Sequence, residues 1–486
     1  MSTMKPWKWI VTAICLFLMF FNFVLPPIGG FTAAGTSVIC IFAGTIGLFV
    51  TVNVMWPVML CLLAFACSGL YSLTQVTQMA MGNNIFWFVA FNGMIISVLI
   101  KTGVLRRIAI WLVTRKFTKK SPWLFIGSLF MAVLLMGAFM DPTGVMMLFI
   151  AIAEAVFGLV GIKKGSRFGE LVVMGIMLFI GLSCGITPIG HTVPLLMISY
   201  FEDMVPISIG QWSIAGVAVA LVVFILFMLA LKFIYRLDVS AMKDFDPTTA
   251  LAGQANSGPM SKAEKVSLVL YGVVIFLWLA PSILKGILPG VASFIGGLGT
   301  IMPCMLGVAL LCLVPVEDGK PLVSMNELLT DGCPWAACFP CAVCMLFGAA
   351  IQHPDVAIPD SLSALLGPAM SSMSPIVFML VLALICICMT NLTSNTVSAM
   401  VTGTVALVLM STGTISGINA AGMGFILGNC ATLSYATAAG SAYAAVVTGS
   451  GWVRTKSQVG EGLLYAVIGM LLMCTLGYAL VGVLCG

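Results

Sequence analysis

Long apolar runs alternate with short polar connections along almost the whole chain. An apolar run of roughly 20 residues is long enough to cross a bilayer as a helix. Counting such runs predicts about eleven membrane-spanning helices, at residues 9–27, 35–52, 54–71, 85–100, 167–187, 212–235, 266–284, 296–315, 334–351, 421–440 and 461–485. The pattern therefore predicts an all-α polytopic membrane protein.

Two further apolar segments, residues 121–162 and 374–412, are each interrupted by a short polar tip. The tips read DPTG at 141–144 and SNT at 394–396. A bilayer tolerates polar groups between apolar arms only where they line a cavity. Interrupted segments at matching places in two halves are the best sequence pointer to the binding site of a secondary transporter. We therefore predict two re-entrant helical hairpins.

The two hairpins occupy equivalent places in two halves of the chain. In each half a helix precedes the hairpin, a glycine-rich helix follows it, and the spacings nearly match. Such matching halves predict an inverted repeat. We divide the chain into N-terminal scaffold helices (1–84), a first half (85–235) with a cytoplasm-facing hairpin (121–162), a cytoplasmic linker (236–265), and a second half (266–486) with an outward-facing hairpin (374–412).

Composition agrees with a membrane protein. Hydrophobic residues make up 61% of the chain and charged residues 8%, with a mean hydropathy of +1.16, whereas a soluble domain has roughly 25% charged residues. With the N-terminus in the cytoplasm, all 21 Lys and Arg residues except Lys285 fall on the cytoplasmic side. The positive-inside rule then predicts a multi-pass protein of the cytoplasmic (inner) membrane with an extracytoplasmic C-terminus.

Several function classes lose support from the sequence. The chain has no phosphate-binding loop of the Walker type, which argues against ATP-driven transport. Four cysteines at 333, 338, 341 and 344 have a spacing similar to iron–sulfur ligands, but they lie in an apolar run, so we predict neither a cofactor nor a resident metal. The net charge of +5 follows membrane topology and indicates no nucleic-acid partner.

Four stretches together resemble one transporter family: KTGVLRRIAIWLV (101–113), GITPIGHTVP (185–194), MTNLTSNTVSAM (389–400) and TGSGW (448–452). They resemble the divalent anion–sodium symporter family of the ion transporter superfamily, which carries di- and tricarboxylates and sulfate. The resemblance implies a homodimer in which each subunit has a scaffold part and a mobile, elevator-type transport part. It also implies that substrate binds between the two hairpin tips near the middle of the membrane.

The same resemblance implies site residues, with several departures from the family pattern. The family has Ser-Asn-Thr at both tips, but here Asp141 and Pro142 replace the serine and asparagine of the first. Proline has no backbone N–H, so the first tip loses a donor to substrate. Our candidate substrate-binding residues are Thr143, His191, Thr192, Asn395, Thr396, Ser441 and Tyr443. Our candidate cation-binding residues are Asp141, Gly190, Ser394, Asn395 and Gly440.

Three of these positions admit more than one interpretation. Asp141 is either only a helix N-cap, or a cation ligand or proton carrier, because intramembrane carboxylates are costly and usually functional. His191 either binds a carboxylate, titrates near neutral pH, or is a neutral side chain satisfied by a backbone carbonyl. Tyr443 either narrows the binding site or contacts substrate.

Three function classes remain open. The leading one is a non-enzymatic secondary carrier of a small organic anion, in the di- or monocarboxylate class, coupled to sodium or protons. The second is a sodium/proton antiporter in which Asp141 carries the ion. The third is a membrane-embedded enzyme with Asp141 and His191 as acid and base, which no nucleophile supports.

Overall fold

The computed structural model describes residues 5–243, 245–247, 251, 258–316, 319–361, 364–365 and 373–485. The fold is 76% helix, and the described residues form no strand. The named α-helices are α1 Pro6–Phe20, α2 Ala33–Thr51, α3 Trp56–Cys67, α4 Leu73–Met81, α5 Asn84–Thr102, α6 Val104–Val113, α7 Pro122–Gly137, α8 Pro142–Leu159, α9 Arg167–Ile186, α10 Thr192–Phe201, α11 Ile209–Leu229, α12 Lys262–Leu284, α13 Pro289–Gly297, α14 Ile301–Leu313, α15 Met325–Glu327, α16 Trp335–Ile351, α17 Pro375–Leu392, α18 Asn395–Ser411, α19 Ala420–Cys430, α20 Ala442–Ser450, α21 Thr455–Leu472 and α22 Tyr478–Cys485.

The number of membrane spans agrees with the sequence pattern only approximately. Eight helices in the described chain are long and apolar enough to cross a membrane, or ten if two sharply bent helix pairs each count as one span. Some predicted spans are shorter than expected. The first predicted span, 9–27, stops at Phe20 because the Asn22 amide donates to the carbonyls of Leu18 and Met19 and closes the helix.

Both hairpins are present. α7 packs against α8 to form the first hairpin, and α17 packs against α18 to form the second. Proline begins α7, α8 and α17 at the first helical position, where its missing N–H removes no helical hydrogen bond. The sequence-based prediction of an all-helical membrane fold with two hairpins is confirmed.

The helices pack in two groups. The first group contains α1–α5, α12, α14 and α16, with α5 packed on α12, α14 and α16. The second group contains both hairpins with α9–α11 and α19–α22. Contacts of α10 with α5 and α16, and of α11 with α12, join the groups. The hairpin tips therefore lie among helices of the second group, beside α5 of the first.

The tenth predicted span, 421–440, is wrong in its second part. α19 ends at Cys430, and helix resumes only at Ala442 in α20. The intervening backbone leaves the helix because its polar groups bond to the second hairpin. The amide N–H of Ala436 donates to Asn391 Oδ1 (2.8 Å), and Thr437 Oγ1 donates to the Asn391 carbonyl. The break therefore runs from Ala431 to Ser441, directly before α20.

The two halves repeat their hairpin contacts in atomic detail. Thr187, after α9, donates its hydroxyl to the carbonyl of Ala138 in the first hairpin. Thr437 makes the same bond to Asn391 in the second. Each threonine lies three residues before a glycine, and each carbonyl lies three residues before a tip N-cap. These paired contacts are the structural counterpart of the repeat predicted from sequence spacing.

The basic segments assemble on one face of the molecule. Lys101 pairs with Glu327, the last residue of α15, and Arg107 pairs with Glu264 of α12 (2.9 Å). Glu170 of α9, only 2% exposed, accepts from Arg167 and Arg454 at 2.9 Å each. The predicted linker 236–265 lies partly outside the described residues. Membrane orientation of this basic face stays a prediction.

Candidate functional site

A cavity of about 530 Å³ lies between the two hairpin tips. All eleven residues proposed from the sequence line it: Asp141, Thr143, Gly190, His191, Thr192, Ser394, Asn395, Thr396, Gly440, Ser441 and Tyr443. They come from two hairpins and two helix breaks that are far apart in the chain. No lysine or arginine is among the described residues that line this cavity. An anion there would have to be held by neutral groups, helix ends or co-bound cations.

Four helices begin at this cavity. The N-caps of α8, α10, α18 and α20 are Asp141, His191, Ser394 and Ser441, and all four line it. The first turn of a helix has backbone N–H groups without helical partners and carries a partial positive charge. Broken helices whose N-terminal ends meet at a cavity are the form that anion sites take in transporters.

Asp141 distinguishes the first tip from the second. Its Oδ2 accepts the N–H of Gly144 at 2.8 Å, so it is a genuine N-cap, and it is exposed to the cavity. Ser394 caps the second hairpin helix with a neutral hydroxyl, accepting from Val397 at 3.2 Å. The Asp141 carboxylate therefore already compensates the partial positive charge at the N-terminus of α8, whereas the N-terminus of α18 is available to an external anion.

His191 is oriented by the helix that follows it. Its Nδ1 accepts the N–H of Val193 at 3.3 Å, so Nδ1 carries no proton and Nε2 is the nitrogen that can donate. Asn92 of α5 donates to the carbonyl of Ile189 at 2.9 Å and fixes the same break. The role of His191 toward substrate stays a prediction.

Glycine is required at both breaks by close packing. A Cβ atom on Gly190 would lie 2.6 Å from the carbonyl oxygen of Gly137. A Cβ atom on Gly440 would lie 2.6 Å from the carbonyl oxygen of Thr390. Each glycine thus lets a broken helix rest directly on the backbone of a hairpin.

Oxygen atoms surround the inner end of the Asn395 amide. Ser434 Oγ and Thr390 Oγ1 lie 2.8 and 2.9 Å from its terminal atom, and the carbonyls of Ala431 and Gly440 lie 3.1 and 3.2 Å away. Neutral oxygens of this kind are ligands that hard cations prefer. We call these two hydroxyls and two carbonyls the oxygen cluster.

Tyr443 lines the cavity, and its hydroxyl is bonded to the protein backbone. It is 1% exposed, and its hydroxyl donates to the carbonyl of Thr432. The same hydroxyl oxygen lies 2.8 Å from Ser434 Oγ. Ser441 Oγ also reaches the carbonyl of Ser434, at 3.1 Å. Tyr443 therefore contacts the oxygen cluster through Ser434 and also forms part of the cavity wall.

Sequence reasoning missed several residues of the site. Asn92 and Asp331 line the cavity, and Thr390 and Ser434 supply the oxygen cluster. Asn92 could have been found as a lone amide in an apolar helix, since intramembrane polar residues are usually functional. The other three carry no comparable signal, because their sequence neighbours do not show which elements they contact.

The cavity extends toward the basic face. Its lining includes Ile100 and Asp331, next to the Lys101–Glu327 pair. A second cavity, of about 180 Å³, also contains Asp141 and reaches Arg106. Asp141 thus lies at the junction of two cavities on the side of the basic segments.

Comparison with known proteins agrees with this geometry. The sequence matches the citrate transporter family (CitMHS) over residues 38–440. The chain belongs to the citrate transporter family. The carboxylate-carrier resemblance found in the sequence is thereby confirmed. A comparison with curated protein sequences gave no significant match.

A solved structure shares the fold of this citrate transporter family member. The YdaH transporter of Alcanivorax borkumensis, described as having an unusual topology, aligns with a TM-score of 0.55 and 14% sequence identity. The alignment covers 84% of this chain and 87% of that one. At this identity the similarity shows the fold alone. Family and fold together indicate a secondary transporter, which is a carrier rather than an enzyme.

Proposed function

We propose that the protein carries a small organic anion with one or more carboxylates across the cytoplasmic membrane, driven by sodium or protons. The convergence of four helix N-termini on one cavity is the observation that supports this most strongly. The cavity has no lysine or arginine in its described lining, so backbone N–H groups and bound cations must supply the positive charge. Because the family is that of citrate transporters, citrate is the first substrate to test.

The anion binds mainly to the second hairpin side of the cavity. At the first tip, Asp141 already neutralises the start of α8 and would repel a carboxylate. At the second tip, Asn395 and Thr396 accompany a neutral N-cap, and Ser441 caps α20 with a hydroxyl. Thr143, His191 and Thr192 then contact the remainder of the substrate from the opposite wall.

A coupling cation binds in the oxygen cluster. Two carbonyls and two hydroxyls lie within 3.2 Å of the inner end of the Asn395 amide, and with the amide oxygen turned toward them they would give the cation a neutral, oxygen-only set of ligands. Sodium suits such a site, and its charge would attract the anion at the neighbouring helix ends. Ser394 is adjacent in the chain, in keeping with its proposed part in cation binding.

Alternating access would move the second group of helices relative to the first as an elevator within each subunit of a homodimer. The hairpins and both helix breaks belong to the second group, so the site would move as a unit. Two helices of the first group bond to the second group beside the site. Asn92 of α5 donates to the carbonyl of Ile189, and the hydroxyl of Tyr271 of α12 donates to the carbonyl of Phe139 (2.6 Å). These bonds would break and reform during transport.

Uptake of labelled citrate into proteoliposomes tests the proposal. Purified protein should accumulate citrate when an inward sodium or proton gradient is imposed, and not when the gradient is dissipated. Accumulation with neither gradient, or no accumulation of any carboxylate tested, would contradict it.

A sodium/proton antiporter is the second candidate, and the exposure of Asp141 at the junction of two cavities favours it. In that case sodium would drive proton movement in vesicles loaded with a pH-sensitive dye, without any organic anion. Asp141→Asn would abolish that movement.

A further inference from the structure

Cys333 places a thiol in the wall of the cavity between the hairpin tips. All 16 cysteines of the chain are free thiols, and Cys333 is the one cysteine in the described lining of this cavity. It lies where the chain bends by 76° between Met325–Gly332 and Trp335–Ile351. A small molecule that enters the cavity can therefore reach this thiol.

A second thiol lies directly behind the first. Pro334 is the N-cap of α16, so Cys333 precedes the cap and Cys338 is the fourth helical residue. Side chains at these two positions meet across the first turn of a helix, in the arrangement of a hydrophobic staple. The N–H of Cys338 donates to the carbonyl of Pro334 (3.1 Å), and the two thiols interact. Cys338 is 0% exposed, so the cavity gives access to it only through Cys333.

The bend is held on one side and can adjust on the other. The ring of Pro334 packs so closely on Gly93 of α5 that a Cβ atom on that glycine would collide with it. Pro340, inside α16, has no N–H, so the start of this helix lacks one helical hydrogen bond. Cys333 is therefore held against α5, whereas the first turns of α16 have room to move and can bring Cys338 toward it.

The same helix contacts the group of helices that contains the hairpins. The Cys341 thiol, about one turn beyond Cys338, interacts with the hydroxyl of Thr192 at the first helix break. α16 also packs on α10, which begins at that break. The proposed alternating access requires these contacts to break and reform. A covalent bond that displaced the start of α16 would change the surface past which the site moves.

We propose that Cys333 and Cys338 form a reactive thiol pair that a small disulfide in the cavity oxidises, and that the oxidised pair arrests transport, the second part of which rests on the proposed function. The Cys333 thiolate attacks one sulfur of the small disulfide, forming a mixed disulfide and expelling one thiolate. The Cys338 thiolate then attacks the Cys333 sulfur and expels the other. Two protein thiols become one disulfide, the small disulfide becomes two thiols, and the two protons pass from the cysteines to the released thiols.

Neutral hydroxyethyl disulfide tests this on the purified full-length protein in proteoliposomes. Mass spectrometry of peptides, after alkylation of the remaining free thiols, should show Cys333 joined to Cys338, and dithiothreitol should restore both thiols. Initial rates of labelled citrate uptake should be lost on oxidation and should return on reduction. Each variant is compared with itself before and after oxidation, so a change in its basal rate does not affect the result.

Three variants assign the reaction to the pair. Cys333→Ala should form no disulfide with Cys338, and its uptake should not respond to the oxidant. Cys338→Ala should stop at the mixed disulfide, with one hydroxyethylthio group on Cys333. Cys67→Ala is the matched control, because Cys67 is an exposed cysteine at the end of α3, outside the described lining of the cavity. This variant should lose uptake on oxidation as the wild type does.

The outcomes separate this inference from the function it rests on. Free thiols at both positions after treatment would overturn the inference. A complete disulfide between Cys333 and Cys338 with an unchanged rate of uptake would also overturn it, because the bond would then not arrest transport. If the reduced wild type takes up no carboxylate, the proposed function fails by itself. The mass measurement still decides in that case, since formation of the disulfide supports the reactive pair and its absence refutes it.

Discussion

Gly440→Ala introduces one methyl group between a helix break and the backbone of the second hairpin. The new Cβ would lie 2.6 Å from the Thr390 carbonyl oxygen, whereas ordinary contacts begin at 3.4 Å. Gly440 has no positive φ, so alanine meets no backbone strain and the effect is steric. Because the obstacle is backbone, the break and the hairpin must move apart, and overpacking of this kind costs about 1–3 kcal/mol.

This movement should weaken the oxygen cluster, since the Gly440 carbonyl belongs to it. If the whole cost falls on the cation-bound form, the sodium concentration for half-maximal citrate uptake should rise about 5- to 150-fold. Initial uptake rates in proteoliposomes over a sodium series would measure this. Gly449→Ala is the control, because Gly449 lies in α20 with nothing within 4 Å of its added methyl group. Equal sodium dependence of the two variants would refute the steric argument.

Asp141→Asn keeps an N-cap side chain and should leave thermal stability nearly unchanged while it abolishes transport or its cation or pH dependence; unchanged dependence would show that Asp141 is only a cap. His191→Ser replaces one N-cap by serine, the residue type that caps α20, so the protein should fold normally. Citrate should bind about tenfold more weakly in a titration, because one hydrogen bond to a charged group is lost. Glu170→Gln should lower the unfolding temperature by several degrees, because the buried carboxylate forms ion pairs with Arg167 and Arg454. Glu154→Gln, at a half-exposed carboxylate, is the control, and equal shifts in unfolding temperature for the two variants would contradict the reasoning.

The hairpins could be predicted from sequence because each combines apolar arms with a polar tip. Residues 121–162 and 374–412 contain α7–α8 and α17–α18 almost to the residue. The four N-caps also lie at predicted site positions, because Asp, Ser and His are polar residues that can be recognised at a break in an apolar segment. Local pattern therefore located the parts of the site.

What local pattern could not show is how those parts bond to one another. Ser434 looked like an ordinary residue of a span predicted over 421–440, and only the fold brings it to Asn395. The sequence left Tyr443 either narrowing the site or contacting substrate, and only the fold shows that its ring lines the cavity while its hydroxyl donates to Thr432. The short helices α4, α6 and α13 were also missed, because each is shorter than the apolar run by which spans are counted.

The central claim is that this protein moves a carboxylate with a cation through the cavity between the hairpin tips. The most direct test is labelled citrate uptake into proteoliposomes under an inward sodium gradient, with wild type beside Asn395→Leu. We expect sodium-driven accumulation by the wild type and none by Asn395→Leu, although that variant should still fold and reconstitute. Accumulation by the variant at the wild-type rate would contradict it.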